Sequence, residues 1–239
     1  MKPTLLRRAI AEFTGTLFLL AAVVGSGIMG ERLAAGNVAL ALLANTIATG
    51  AALVALILTF GAISGAHLNP AVTLADAWRG GIAWRDAAAY IAAQVAGAFA
   101  GVSTAHLMFG VPVLSVSTHV RSGPAQVFSE FVATFGLLAV IWGCARQRLS
   151  AVPYAVGAYI TAAYWFTAST SFANPAVTLA RSATNTFAGV RPADVGGFIA
   201  AQLAGALAAT ILFQWLVPLA KADPAGQLSD RSEVGYPAD

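Results

Sequence analysis

The sequence predicts an all-α membrane protein, with six transmembrane helices and two re-entrant half-helices arranged as an inverted repeat. Three observations predict it. The 239 residues are 58% hydrophobic and 10% charged, with a mean hydropathy of +0.75, beyond the range of a soluble domain. The apolar runs are long enough to span ~30 Å of hydrocarbon at ~1.5 Å per residue. One phrase, Asn-Pro-Ala-Val-Thr-Leu-Ala, occurs twice, at 69–75 and 174–180, and each copy opens a segment too short to cross.

Residues 1–8 form a basic head carrying Lys2, Arg7 and Arg8, read as the cytoplasmic N-terminus. The first span covers 9–30. Its basic flank resembles that of a signal sequence, but the run is too long and no clear small-residue cleavage site follows, so a retained helix is expected. A polar loop at 31–36 leads to the second span, 37–61, and then to the first Asn-Pro phrase with a half-helix ending near Trp78. A turn at 79–86 precedes the third span, 87–108. The Gly/Pro/Ser-rich connection 109–123 joins the halves. The fourth span is 124–144, the fifth 149–167, followed by the second phrase with a half-helix to about Thr184, and the sixth is 192–217. The stretch 221–239 reads as a solvated, mobile tail. The units are thus 1–8, a first repeat 9–123, a second repeat 124–218 and a tail 219–239.

The repeat extends past the phrase. Glu12-Phe13-Thr14-Gly15-Thr16 matches Glu130-Phe131-Val132-Ala133-Thr134, and the stretch from Tyr90 to Gly97 matches that from Phe198 to Gly205. Three spans per half is an odd number, so the second copy is inserted upside down, with a pseudo-two-fold axis in the membrane plane. With the N-terminus inside, Lys2, Arg7, Arg8, Arg79, Arg85, Arg146, Arg148, Lys221 and Arg231 are cytoplasmic. Only Arg32, Arg121, Arg181 and Arg191 are outside. That bias places both termini in the cytoplasm.

Proline suits the first position of a helix, and a preceding Asn caps it. Asn69-Pro70-Ala71 and Asn174-Pro175-Ala176 therefore start two half-helices that meet near the midplane, each N-terminus worth roughly half a positive charge. Cations meet that field, while Asn69 and Asn174 are expected to aim N–H donors into a lumen. The turns Gly65-Ala66-His67-Leu68 and Phe172-Ala173 are expected to line it with unpaired carbonyls, which membrane depth tolerates only beside a wet cavity. Such a lumen conducts small neutral hydrogen-bonding solutes. Intramembrane Glu12 and Glu130 are proton-relay candidates by default. Their equivalent repeat positions favour a structural reading, as acceptors for the turn N–H groups, with Gln94 and Gln202 as similar braces. Gly97 and Gly101 form a GxxxG for close helix approach. A single cysteine, Cys144, excludes an intrachain disulfide and a cysteine-based zinc site, and the three histidines lack ligand spacing. No metal or cofactor is expected. A net charge of +3 without a basic aromatic-laced patch argues against nucleic acid, and no nucleophile–base pair argues for an enzyme.

Six spans in two inverted halves, SGAHLNPAVTL, the second Asn-Pro-Ala and the Glu-Phe-x-x-Thr of spans one and four resemble the aquaporin/aquaglyceroporin (major intrinsic protein) family, from about Leu6 to Pro218. The resemblance implies a homotetramer with a pore in each protomer and passive bidirectional flux. In the family an arginine follows the second Asn-Pro-Ala; here Val177 stands there. Family spacing puts the other constriction positions on Thr49, Ala162 and Ser171. Water-selective members resemble one another in a bulky aromatic at the Thr49 position and His at the Ala162 position, and glycerol channels carry aromatics at the Thr49 and Ser171 positions. Four small uncharged residues imply a wide, neutral constriction, with weaker cation exclusion left mostly to the half-helix dipoles. Arg181, one turn beyond Val177 on the same face, is either a vestibule residue or a surface arginine. The pattern is similar to a bacterial branch associated with arsenic-resistance operons. It implies a channel in the bacterial inner membrane for glycerol, arsenite and related metalloid hydroxides, methylated arsenicals and water. An ordinary water channel or glycerol facilitator, and an ion-coupled secondary transporter, are the alternatives.

Overall fold

A computed structural model describes residues 3–216. Met1 and Lys2, the end of the sixth span at Val217 and the tail expected at 219–239 lie outside the described residues. The described chain is all helical. Helices α1 (Leu5–Leu33), α2 (Val38–Ser64), α4 (Trp84–Phe109), α5 (Pro124–Gln147) and α8 (Pro192–Leu216) include every helix long and apolar enough to cross a membrane among the described residues. The half-helices are α3 (Pro70–Trp78) and α7 (Pro175–Arg181).

The fifth expected span differs. A 3-10 turn at Leu149–Ala151 precedes α6 (Val152–Phe166), which has 15 residues and so a length of about 22 Å. Pro153 in its first turn starts it late. Thr167, in extended backbone, stops it by turning its Oγ onto Ala163 O at 2.6 Å. Likewise α7 ends at Arg181 rather than near Thr184, because Ser182 caps it through Leu179 O. The chain then pairs with the inter-repeat connection through Ser115 N–H to Ala183 O and Ser117 N–H to Ser182 O. At the other end of the chain, Thr4 caps α1, which takes in Arg7 and Arg8. Arg8 meets Asp86 at 2.7 Å and ties the start of α1 to that of α4.

In each half the first helix packs against the second and the fourth, α1 on α2 and α4, α5 on α6 and α8. The halves join where α2 meets α6, where each half-helix packs on the last helix of the other half (α7 on α4, α3 on α8), and where α3 meets α7. Missing side chains set these distances. A Cβ at Gly97 would strike Phe13 O, one at Gly101 Leu17 O, and one at Gly205 Phe131 O. At the crossing of α2 and α6, a Cβ at Gly50 would strike Thr161 Oγ1.

Candidate functional site

The two Asn-Pro turns are built alike. Asn69 and Asn174 have φ of −157° at the N-cap, and each Oδ1 accepts from its own half-helix, Ala71 N at 2.9 Å and Ala176 N at 3.0 Å. Pro70 and Pro175 occupy the position where no donor is needed. The other end of each amide does not simply face the lumen. Asn69 Nδ2 donates to Ala173 O and Asn174 Nδ2 to Leu68 O, both at 2.8 Å. Leu68 O and Ala173 O are therefore paired, each with the opposite asparagine rather than with a helix N–H. An amide NH₂ carries two hydrogens, so one is used to lock the half-helices together and one remains for the lumen.

Each turn bends through left-handed backbone at non-glycine residues, Ala66 and Leu68 in the first and Thr170, Ser171 and Ala173 in the second. That conformation costs about 1–2 kcal/mol per residue, and buried carboxyls hold it. Glu12 accepts from Ser64 Oγ (2.6 Å), His67 N (3.0 Å), Leu68 N (2.6 Å) and Gln94 Nε2 (2.8 Å). Glu130 accepts from Phe172 N (2.8 Å), Ala173 N (2.8 Å) and Gln202 Nε2 (2.6 Å). The same glutamines reach Thr73 Oγ1 and Thr178 Oγ1, the equivalent hydroxyls of the half-helices. All four braces are fully buried.

A cavity of about 200 Å³ runs past both turns. Gly65, Ala66, His67, Leu68 and Asn69 line it from the first half, and Ser171, Phe172, Ala173, Asn174 and Val177 from the second. Leu19, Leu53, Ile57, Val156 and Ile160 make an apolar wall. Thr49 lines it too, but Ala162 does not. Ala162 is exposed on the opposite side of α6, and Tyr164 stands in the lining with its hydroxyl 3.3 Å from Thr49 Oγ1. Thr49, Tyr164, Ser171 and Val177 therefore line the cavity together, uncharged but not four small residues. Residues two apart on a helix point about 200° from each other, so a count displaced by two puts the wrong face on the lumen. The spacing of Val156, Ile160 and Tyr164, four apart each time, was the signal in the sequence.

Arg181 is no surface residue. It is 2% exposed and lines the cavity beyond Val177. At the α3 end the cavity reaches Asp76, 3.6 Å from His67 Nε2. Sequence reasoning also gave no part to Arg121. From the connection between the repeats it donates to Gly189 O (2.9 Å) and to Ser169 O and Thr170 Oγ1 (3.3 Å each), pinning the second turn.

A lumen between two opposed half-helices, sheathed in apolar helices and lined on one side by turn backbone, defines a membrane channel. Residues 1–152 match the profile of the Major intrinsic protein family. Over 217 residues the chain is 60% identical to Aquaglyceroporin AqpS of Rhizobium meliloti (strain 1021), covering 91% of this chain and 93% of that protein. It is 38% identical over 149 residues to Aquaporin NIP1-4 of Oryza sativa subsp. japonica, covering 62% of this chain and 53% of that one. The aquaglyceroporin structure from Plasmodium falciparum superposes with a TM-score of 0.69 over 89% of this chain and 95% of its own, at 21% identity, a likeness of fold. The chain belongs to the major intrinsic protein family. It is an integral membrane protein and a passive channel for small solutes, not an enzyme.

Proposed function

We propose that the protein is an aquaglyceroporin-type channel for glycerol and for neutral metalloid hydroxides such as arsenous acid, with water and methylated arsenicals as further solutes. It works as a homotetramer in a bacterial inner membrane, both termini in the cytoplasm and α7 at the outer end of the pore. The observation that carries this reading is Val177 at the third position after Asn174, lining the cavity with Thr49, Tyr164 and Ser171, which we read as one ring. No cation stands in that ring to hold water in place of a larger solute. Hydroxyls on Thr49, Tyr164 and Ser171 meet polyol or trihydroxide oxygens, while the apolar wall carries the carbon side of the solute. The name of the rhizobial relative supports the glycerol class, and the arsenic-operon resemblance supports the metalloids.

Stopped-flow swelling of proteoliposomes in glycerol or arsenite gradients tests the reading, and flux confined to water would sink it. Val177→Arg narrows the ring and adds a strongly hydrated charge. It is expected to lower glycerol and arsenite flux about tenfold while water flux falls far less, since one lost fit of this kind is worth ~1–3 kcal/mol. Equal loss of both fluxes would mean closure or misfolding instead.

A further inference from the structure

Arg181 uses little of its hydrogen-bonding capacity on the protein. Its Nε donates to Ala188 O, and its guanidinium carbon lies 3.4 Å from the centre of the Phe172 ring, a stacked cation–π arrangement. Phe172 is a fixed platform, held by its N–H to Glu130 and by the Phe198 ring, 5.3 Å away and edge-on. Among the described residues, neither Nη atom has a hydrogen-bond partner and no carboxylate pairs with Arg181, the salt bridges being Arg8–Asp86, His67–Asp76 and Arg191–Asp194. A buried cation left unpaired is costly unless polar atoms replace its water. In this fold the lumen is the place where they can, and Arg181 lines it.

The repeat supplies a second, independent pointer. Arg181 follows Asn174 at the same distance as Asp76 follows Asn69, and both line the cavity. This position therefore belongs to the lumen in each half, whatever residue fills it. The inner copy is of mixed charge, because Asp76 lies beside His67 and within the electrostatic reach of Arg79. Arg121 also approaches Phe172, at 5.2 Å, but its nitrogens are taken by backbone and Thr170. Among the described residues that line the cavity, Arg181 is the arginine there and has no carboxylate beside it, whereas Arg121 is not part of the lining.

We propose that Arg181 is the charge-selective residue of this channel, a cation mounted on Phe172 one helical turn outside the ring that Val177 leaves neutral. Selection by size and selection by charge are then separated along the pore. The ring with Val177 admits bulky neutral solutes, and Arg181 repels cations before they reach it, with its Nη groups open to solute oxygens. This rests on the channel reading above and alters the expectation that cation exclusion is weakened and left mostly to the half-helix dipoles.

The test measures potassium leak and glycerol swelling on the same proteoliposomes. Wild type is expected to pass glycerol and hold potassium. Arg181→Gln should raise the ratio of potassium to glycerol permeability about tenfold, the scale of one unit charge at close range, and reversal potentials in a salt gradient should move toward the potassium value. Arg181→Lys should bring the ratio back, and Arg181→Gln combined with Val177→Arg should bring the potassium leak itself back down, which a purely structural arginine would not predict. Arg181→Met, keeping an apolar stem on Phe172, takes the place of the glutamine variant if that fails to assemble. A glycerol-conducting Arg181→Gln or Arg181→Met channel as potassium-tight as wild type overturns the proposal, and so does a wild type that leaks potassium. A wild type inert to glycerol and arsenite overturns the solute reading, and this proposal falls with it.

Discussion

Glu12 and Glu130 occupy the same place in the two repeats, but the loads on them differ. Both Glu12 oxygens accept two donors each, Ser64 Oγ with His67 N and Leu68 N with Gln94 Nε2. Glu130 has two donors on one oxygen and one, Phe172 N, on the other. Replacing either by Gln turns one acceptor into an NH₂ that faces buried donors. Glu130→Gln can place its amide against a single N–H and is expected to lose about 2 kcal/mol, whereas Glu12→Gln weakens four charge-assisted bonds rather than three and should lose more. Thermal unfolding of the two variants in detergent checks the order, and equal midpoints would contradict it. These acids were legible in the sequence because the repeat pairs them and apolar surroundings make a carboxyl conspicuous. Tyr164 and Arg121 were not. Counting back from Asn174 assumes the length of the stretch after α6, which the stop of α6 at Phe166 sets, so the count missed the face that the spacing of Val156, Ile160 and Tyr164 marks. Arg121 acts across the fold, on Ser169 and Gly189, and a contact between distant stretches leaves no local mark.

Helices as elements were legible because hydropathy reports where hydrocarbon ends. It does not report where a helix ends, so α1 runs on through Arg7 and Arg8 at one end and Glu31 and Arg32 at the other. What fixes how the elements sit is the glycine pattern. Gly97 and Gly205 match in the repeat, and each lets a backbone carbonyl of the first helix of its half, Phe13 O or Phe131 O, approach the facing helix. A carbonyl held in a helix cannot swing aside as a side-chain tip would. Gly97→Val and Gly205→Val should therefore each destabilise by about 3 kcal/mol, the upper range for overpacking. Gly196 is the control. It lies in α8 with nothing within 4 Å of an added Cβ, and Gly196→Ala should stabilise by about 0.5–1 kcal/mol through helix propensity. Melting of the purified variants checks all three, and a tolerated valine at either of the first two positions would break the symmetric packing account.

The whole molecule places its lumen inside one chain. Both half-helices, the turns, the ring with Val177 and Arg181 all come from a single polypeptide. The outer faces carry large apolar residues such as Ile47, Phe128 and Trp215, which suit lipid or a neighbouring copy. In the proposed tetramer, then, association organises the protomers without completing any pore. Reconstituting wild-type chains with Val177→Arg chains in graded proportions separates this from a shared central path. If each protomer conducts alone, glycerol flux falls linearly with the fraction of mutant chains, and an equal mixture keeps about half of the wild-type excess. If four chains build one path, a single mutant chain obstructs it and flux falls steeply at low mutant fraction. Stopped-flow swelling across the series distinguishes a straight line from a curve. A curve would move the conducting path out of the cavity between α3 and α7, against the geometry that puts both Asn-Pro turns, their braces and the charged position beyond them on one lumen.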